Sequence, residues 1–412
     1  MTAATDNMLF FNWSEVDAIP ELPTDVDYLV FDETLRDGIQ APYVIAPPLE
    51  VKLRLVDHMV NVGVGAADLG FPGASARAKA ECIALAEYIV GQGHPIRQAY
   101  AGRTHPEDIG AICDIAHTVQ CDVDAYGFIG VSPVRQYAES WSLALIQTRL
   151  VDTARQCRAA GVNFVLVLED STRCTPEILS EVFDIAHGLG VTRITLCDTV
   201  GAATPASTQA LVRWSLEHFR ALGHDVALDW HGHNDRGLAL ANSLTAIEAG
   251  CDRIHATALG IGERAGNTAL DQLILNRHLE HGDAYDLLAL RRYCEDVSTA
   301  LHTPIAVNYP ALGADVFCTS AGVHAAAILK ARQRGDRGLL DSIYSSVPAS
   351  ALGRCQEVLV DAASGASNVE FWLLERGYEP SQTTIDRVLA VAKSSNRPLT
   401  AEEIEELVDT LD

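Results

Sequence analysis

Residues 163–170 have the sequence N-F-V-L-V-L-E-D, an apolar run that ends in two carboxylates. A short apolar run bounded by polar residues is typical of a strand that is buried on both faces, as in a parallel sheet. Similar runs alternate with helical patterns from about residue 25 to residue 285. The sequence therefore predicts a fold of repeated strand-and-helix units.

Eight strands are predicted in this part of the chain: Tyr28–Glu33, Gly65–Gly70, Ile96–Gly102, Asp124–Ile129, Asn163–Glu169, Arg193–Asp198, Ala227–His233 and Arg253–Leu259. Predicted helices between them include Pro48–Val62, Ala76–Gly91, Trp141–Ala160, Pro176–Leu189, Pro205–Ala221 and Ala239–Ala249. Glycines that typically end helices follow several of them: Gly63, Gly161, Gly190 and Gly250. Eight such units with right-handed crossovers predict an α/β fold, a (β/α)8 barrel of the TIM type.

The predicted domains are an N-terminal arm over residues 1–24, the catalytic barrel over 25–285 and a mainly helical C-terminal extension over 286–412. Irregular sections are predicted at Thr303–Phe317 and Pro348–Ser367 within the extension. Thr400 and Glu403 have the spacing of a capping box, which predicts a final helix.

The chain is strongly acidic, with a formal net charge of −25 over 412 residues. Such a charge repels nucleic acids and anionic membranes, so neither is expected as a partner. The N-terminus lacks the pattern of a signal peptide and no apolar run reaches the ~20 residues of a membrane span, so a cytoplasmic protein is expected. The ten cysteines include no C-x-x-C pair, which indicates reduced thiols.

Polar residues collect at the C-terminal ends of the predicted strands. In strand order they are Arg36 and Asp37, Asp68, Arg103, Arg135, Glu169 and Asp170, Asp198 and Thr199, and His231 and His233. Active sites of TIM barrels lie at this end of the strands. The pattern therefore predicts that these side chains share one site.

Two strings in this set suggest a metal: F-D-E-T-L-R-D-G at 31–38 and H-G-H-N-D at 231–235. His231 and His233 are two residues apart on a strand, so both face the same way. Together with Asp37 they form a ligand set for a catalytic divalent cation. The alternatives are hydrogen-bonded core histidines, a turn role for Asp37 before Gly38, and a structural salt bridge from Arg36 to Asp37 or Glu33.

Four further positions have both a functional and an ordinary interpretation. Asn267, in the glycine-rich G-I-G-E-R-A-G-N-T of residues 260–268, is a candidate neutral ligand, and the loop is a candidate phosphate-binding element or lid. Glu169 is a candidate base or a solvated loop carboxylate beside Asp170. Arg135 is a candidate for binding a substrate carboxylate or a surface arginine. His324 is a candidate catalytic group or a buried helix histidine.

The three motifs, in order and spacing, resemble the signatures of the DRE-TIM metallolyase superfamily over roughly residues 28–375. Within it the chain is similar to the Claisen-condensing branch, which holds the isopropylmalate, homocitrate, citramalate and Re-citrate synthases. The resemblance implies an acyltransferase that condenses acetyl-CoA, as co-substrate, with a 2-oxo acid and hydrolyses the thioester. It also implies a divalent cation (Mg²⁺, Mn²⁺ or Zn²⁺) and a homodimer. The alternative is a C–C lyase of the 3-hydroxy-3-methylglutaryl-CoA lyase type, but that lyase carries a cysteine in the glycine loop and this chain does not.

The resemblance also implies roles for individual residues. Asp37, His231 and His233 would hold the metal, with Asn267 as a fourth or water-mediated ligand. Arg36 would bind and polarise the 2-oxo acid, Thr199 would contact its carboxylate, and Gln40, Arg103 and Arg135 are further substrate-binding candidates. Glu169, His324 and Tyr344 are the catalytic candidates beside Arg36, and Gly260, Gly262 and Glu263 the cofactor-binding ones. The C-terminal subdomains would complete the active site.

Three shorter strings resemble the subgroup of Re-citrate and phosphonomethylmalate synthases: S-P-V-R-Q at 132–136, Y-S-S-V-P-A-S at 344–350 and S-G-A-S-N-V-E-F-W-L at 364–373. The acceptors of that subgroup, oxaloacetate and phosphonopyruvate, carry a second anionic group, which Arg135 is expected to receive. Asp37 replaces the glutamate usual in homocitrate synthases. The chain stops at Asp412, too early for the regulatory domain of isopropylmalate synthases, so leucine feedback is not expected.

Overall fold

A computed structural model describes residues 29–282 and 285–409 of the chain. The described residues divide into two compact units, the first made of residues 29–44 and 64–273 and the second of residues 45–63 and 274–409. The predicted N-terminal arm, residues 1–24, lies outside the described residues.

The first unit contains a closed barrel of eight parallel strands in chain order, with β1 paired to β8. The strands are β1 (Leu29–Asp32), β2 (Ala66–Asp68), β3 (Arg97–Arg103), β4 (Val123–Gly130), β5 (Asn163–Glu169), β6 (Arg193–Asp198), β7 (Ala227–Gly232) and β8 (Arg253–Ala256). The predicted TIM barrel is therefore confirmed, and β5 and β6 have the predicted bounds. Strand β8 ends three residues before the predicted Leu259, because the chain there turns into a short 3-10 helix in which Leu259 has a φ of 59°.

Helices follow the strands of this unit along the chain: Ala76–Gln92, Pro106–Val119, Pro133–Glu139, Leu143–Ala160, Pro176–Gly188, Pro205–Ala221 and Ala239–Ala249. Several begin with a polar cap, as where the Thr175 side chain accepts from the backbone N–H of Ile178. Gly161 and Gly250 end their helices in the left-handed conformation, as predicted. The helix Leu270–His281 follows β8.

The interior of the barrel is packed rather than open. One apolar cluster combines Phe31, Ala66, Ala99, Tyr126 and Val165, which come from the first five strands. These residues fill the interior of the barrel, so the polar groups at the C-terminal strand ends lie above a packed apolar layer.

The second unit is mainly helical, as predicted for the C-terminal extension. Its helices are Leu49–Val62, Leu287–Ala300, Gly322–Gln333, Arg337–Ser342, Ala366–Glu375, Gln382–Ser394 and Ala401–Asp409, and Cys318–Thr319 pairs in parallel with Glu357–Val358. Arg54 binds Asp296 at 2.8 Å between the first two of these helices. The capping box is present, because Thr400 N–H donates to Glu403 Oε2 and Glu403 N–H to Thr400 Oγ1.

Among the helices of the described residues, none has the length and the apolar composition that a bilayer crossing requires.

Candidate active site

A cavity of about 290 Å³ lies at the C-terminal ends of the barrel strands. Of the residues predicted from sequence, nine line it: Arg36, Asp37, Gln40, Asp68, Glu169, Thr199, His231, His233 and Glu263. Tyr126, Cys197 and His255 are also part of its wall. The barrel thus brings most of the predicted strand-end residues together.

Asp37, His231 and His233 converge within this cavity. The two histidine Nε2 atoms lie 3.2 Å apart, and Asp37 Oδ2 lies 3.5 Å from the first and 3.7 Å from the second. All three residues are buried. Asp37 precedes the short 3-10 helix Gly38–Gln40, yet its side chain makes no capping hydrogen bond there. The three donor atoms therefore face one another, as the metal interpretation requires.

Several details of this cluster fit a divalent cation. Burial, together with the neighbouring His231, lowers the pKa of His233 to about 4, so its ring is neutral near pH 7, the state that binds a metal. Asn267 Nδ2 donates to Asp37 Oδ2 at 2.6 Å, while Asn267 Oδ1 is buried without a hydrogen-bond partner among the described residues. Two imidazoles, one carboxylate and an unpartnered amide oxygen are a suitable donor set for such an ion.

Glu33, at the end of β1, orients one of the histidines. Its Oε2 lies 2.7 Å from His231 Nδ1, while its Oε1 accepts from Arg36 Nη2 at 2.5 Å. Burial opposes the charge, but Arg36, His231 and His255 outweigh it and hold the pKa of Glu33 well below its usual range. A carboxylate at Nδ1 selects the tautomer of His231 whose Nε2 lone pair is free to bind a metal.

Arg36 is surrounded by three carboxylates. Besides Glu33, its Nε donates to Asp68 Oδ2 at 2.9 Å and its Nη1 lies 3.8 Å from Asp37 Oδ1. One guanidinium does not balance three buried charges, and burial raises the pKa of Asp68 to about 7 despite Arg36. The structural salt bridge considered for Arg36 is thus present, and the guanidinium still forms part of the cavity wall.

Arg135 and Glu169 form a second charged pair. Arg135 Nε lies 3.0 Å from Glu169 Oε1, an ion pair whose N–H is not aligned for a hydrogen bond, and Arg135 Nη1 donates to Glu139. Burial raises the pKa of Glu169 and Arg135 opposes that shift. Asp170 differs from its neighbour. It is buried and bound by Ser132 and Arg173, so the solvated interpretation is wrong for it.

The glycine-rich loop packs back onto the end of β7. Asn234 N–H donates to Gly266 O at 2.9 Å, and the Tyr43 hydroxyl contacts both the N–H and the carbonyl of Gly262 at 3.2 Å. Gly266 has a φ of 84°, and a Cβ there would lie 1.9 Å from Gly260 O, so glycine is required. This packing places the Asn267 side chain next to Asp37. Gly260 and Gly262 shape the loop without lining the cavity.

Arg103, His324 and Tyr344 lie elsewhere, while Arg135 contacts the wall residue Glu169 without lining the cavity itself. Arg103 binds Asp108 through two nitrogens, at 2.7 and 3.0 Å, and does not line the cavity. His324 and Tyr344 belong to the second unit, where their ring centroids are 4.0 Å apart. His324 is exposed, so the interpretation as a buried helix histidine is wrong.

Sequence reasoning missed His255, which lies on β8 and lines the cavity wall. Its Nδ1 is 3.0 Å from Glu33 Oε1 and its Nε2 is 3.3 Å from Asp229 Oδ2. Burial would lower its pKa, but Glu33 and Asp229 prevail and raise it to about 9. The available signal was a histidine between two apolar residues, Ile254 and Ala256, within the predicted eighth strand.

The fold and the site define a TIM barrel with a buried Asp–His–His cluster, able to hold a divalent cation, at the C-terminal ends of its strands. Residues 28–297 match the model of the HMGL-like family, and the chain belongs to that family. It is similar to the 2-isopropylmalate synthase of Nitratidesulfovibrio vulgaris, with 29% identity over 391 residues that cover 92% of this chain and 73% of the relative. It is also similar to the homocitrate synthase AksA of Methanopyrus kandleri, with 29% identity and coverage of 92% and 90%. The chain is an enzyme of this synthase type.

The fold is shared with the solved structure of hydroxymethylglutaryl-CoA lyase from Pseudomonas aeruginosa. The TM-score is 0.56 at 20% identity, and the match covers 66% of this chain and 93% of the lyase. That likeness concerns the fold alone.

Proposed function

We propose that this protein is an acyltransferase that condenses acetyl-CoA with a 2-oxo acid in a Claisen-type reaction and hydrolyses the thioester. The observation that carries the proposal is the position of Arg36 beside the Asp37–His231–His233 donor set in one cavity. The similarity to relatives named 2-isopropylmalate synthase and homocitrate synthase supports a condensing rather than a cleaving enzyme.

Asp37, His231 and His233 would hold a divalent cation, Mg²⁺, Mn²⁺ or Zn²⁺, with Asn267 as a fourth or water-mediated ligand. When bound, such an ion supplies Lewis-acid polarisation of the 2-oxo group. Arg36 would bind the acceptor and stabilise the negative charge that develops on its carbonyl oxygen. Its contacts with Glu33 and Asp68 hold the guanidinium in place before the substrate arrives.

Thr199 is suited to binding the acceptor carboxylate. Its Oγ1 accepts the backbone N–H of Asp170 at 2.8 Å, so the hydroxyl proton remains available to donate. Gln40, which also lines the cavity, would add an amide donor.

Proton transfer from the methyl group of acetyl-CoA is assigned to His324, with Glu169 in support, on the resemblance to the Claisen-condensing enzymes. General-base assistance of this kind contributes ~10²–10⁴-fold to a rate. The raised pKa of Glu169 and the pairing of His324 with Tyr344 are consistent with that role. Gly260, Gly262 and Glu263 are proposed to bind acetyl-CoA, and the protein is proposed to be a homodimer.

The acceptor is proposed to carry a second anionic group, as oxaloacetate and phosphonopyruvate do. Arg135 supports this assignment because its guanidinium already faces the carboxylate of Glu169 near the cavity wall. A second anionic group on the substrate would give this guanidinium the same kind of partner, a negatively charged group that accepts hydrogen bonds.

The proposal is tested by following CoA release with a thiol reagent across a panel of 2-oxo acids, with and without a chelator. Acceptor-dependent release that the chelator abolishes, and that His231→Ala lacks, is the expected result. No release with any acceptor, combined with cleavage of a 3-hydroxyacyl-CoA, would overturn the synthase assignment in favour of a lyase.

A further inference from the structure

His255 links the metal-site carboxylate Glu33 to a second buried carboxylate deeper in the barrel. Its two ring nitrogens lie 3.0 Å from Glu33 Oε1 and 3.3 Å from Asp229 Oδ2, and only 2% of the residue is exposed. Asp229 is itself fully buried and receives hydrogen bonds from the Tyr126 hydroxyl at 2.9 Å and from Arg193.

The protonation of His255 follows from this geometry. An ionised carboxylate offers only acceptors, so both ring nitrogens must carry a proton to satisfy both neighbours. A neutral ring would place a nitrogen lone pair against a carboxylate oxygen in a buried site, where such a contact is costly. His255 is therefore a buried imidazolium between two carboxylates.

The hydrogen bond from His255 affects the proposed metal ligand His231 through Glu33. One oxygen of Glu33 is engaged by His255 and Arg36, which leaves the other, Oε2, to face His231 Nδ1 at 2.7 Å. That contact requires a proton on Nδ1 and leaves Nε2 of His231 as the free lone pair. If Glu33 lost the donor from His255, it would be free to rotate or to take up a proton, and the tautomer of His231 would no longer be fixed.

We propose that His255, anchored by Asp229, is a positioning residue that fixes the tautomer of His231 and so prepares it for the cation. The role in cation binding rests on the metal site of the proposed function. The role in setting the tautomer stands on the hydrogen bonds of the barrel alone.

The test uses the full-length protein labelled with ¹⁵N-histidine, in the presence of a chelator. Long-range ¹H–¹⁵N correlations report the tautomer of each ring, and His231→Gln assigns the signal of His231. We expect the Nδ1–H tautomer in the wild type and a mixture in His255→Phe, which keeps a ring but removes both donors. His255→Gln retains one amide donor for Glu33 and is expected to restore the wild-type tautomer in part.

Affinity for Mn²⁺, measured by calorimetry after the chelator is removed, is the second readout. A loss of about tenfold or more is expected in His255→Phe, in the range found for outer-shell partners of metal ligands. Tyr100→Phe is the control, because it also removes a buried hydrogen-bonding group of the barrel, a hydroxyl that bonds Gln98 Oε1 at 3.1 Å. It is expected to leave both readouts unchanged.

If His255→Phe fails to fold by circular dichroism, Asp229→Asn replaces it, since it keeps the shape of the anchor and removes its charge. A folded variant with the wild-type His231 tautomer would overturn the proposal. A wild-type protein that binds no Mn²⁺ would count against the metal site of the proposed function, while the tautomer comparison would still decide the role of His255.

Discussion

Asn267 Nδ2 lies 2.6 Å from Asp37 Oδ2, so an amide from the glycine-rich loop donates directly to a proposed metal ligand. Both residues are buried, and the amide oxygen of Asn267 is left without a partner among the described residues. Asn267 therefore has two ways to serve a cation: its oxygen as a ligand, or its N–H as the group that orients Asp37.

Asn267→Ala is predicted to weaken Mn²⁺ binding by ~10–100-fold, because Asp37 loses the donor that fixes its orientation. Titration calorimetry on the metal-free protein measures the effect. Asn163→Ala is the matched control, since Asn163 Nδ2 donates to Asp124 Oδ1 at 2.8 Å at the opposite end of the barrel. Equal affinities in the two variants would contradict the prediction.

Gly262→Ala is predicted to displace the Asn267 side chain while leaving its amide group chemically unchanged. A Cβ at Gly262 would lie 2.0 Å from Asn267 Oδ1 and 2.9 Å from its Cγ, so the amide must move. We expect weaker Mn²⁺ binding, as in Asn267→Ala, and a free energy of unfolding lower by ~1–3 kcal/mol from the overpacking.

Gly188→Ala controls for the added methyl group, because a Cβ there meets nothing within 4 Å. Its stability in urea denaturation should equal or slightly exceed that of the wild type. A Gly262→Ala protein with wild-type metal affinity would show that Asn267 does not need its observed position.

The sequence predicted the barrel well because its signals are local. The run 163–169 is apolar and bounded by polar residues, so β5 was predicted with its observed limits. Asp37, His231 and His233 were predicted to meet because all three lie at or just after the C-terminal ends of strands of one barrel. Arg103 does end β3, but it does not line the cavity, since Asp108, five residues later, binds its guanidinium.

His255 and Asp229 were not predictable in the same way. Neither residue belongs to a motif, and their partners lie on other strands, so the contacts form only when β1, β7 and β8 close the barrel. The pairing of Asp68 with Arg36 has the same origin, because the two residues are 32 positions apart. Side-chain networks across a barrel depend on register and rotamers, which hydrophobic patterns do not specify.

Asp68→Asn is predicted to change how stability depends on pH. The pKa of Asp68 rises from its ordinary 3.8 to about 7 on folding, so between these values the folded state binds one more proton than the unfolded state. Its contribution to stability is therefore lost as pH rises from about 4 to about 7. A tenfold change in proton affinity corresponds to ~1.4 kcal/mol, so the loss over the whole range amounts to roughly 4 kcal/mol.

The measurement is urea denaturation of the wild type and of Asp68→Asn at pH 5 and pH 8, with chelator present. The wild type should lose roughly 2.7 kcal/mol relative to the variant between the two pH values, about two pH units at ~1.4 kcal/mol each, because asparagine does not titrate. A difference that stays constant with pH would show that Asp68 is ionised throughout, in ion pair with Arg36.

Arg135→Gln is predicted to discriminate between acceptors. Loss of one charge-assisted hydrogen bond is worth ~1.5–3 kcal/mol, so KM for a dianionic 2-oxo acid should rise by ~10–100-fold while KM for a monoanionic one changes little. The substitution also lets the pKa of Glu169 rise further, since Arg135 opposes that rise. That effect would be common to all acceptors, so the ratio of KM values isolates recognition. Arg149→Gln is the control. The guanidinium carbons of Arg135 and Arg149 lie 5.9 and 4.5 Å from the centroid of the Trp141 ring, but only Arg135 pairs with Glu169. An equal rise in KM for both kinds of acceptor would rule out Arg135 as the group that binds the second anionic group of the acceptor.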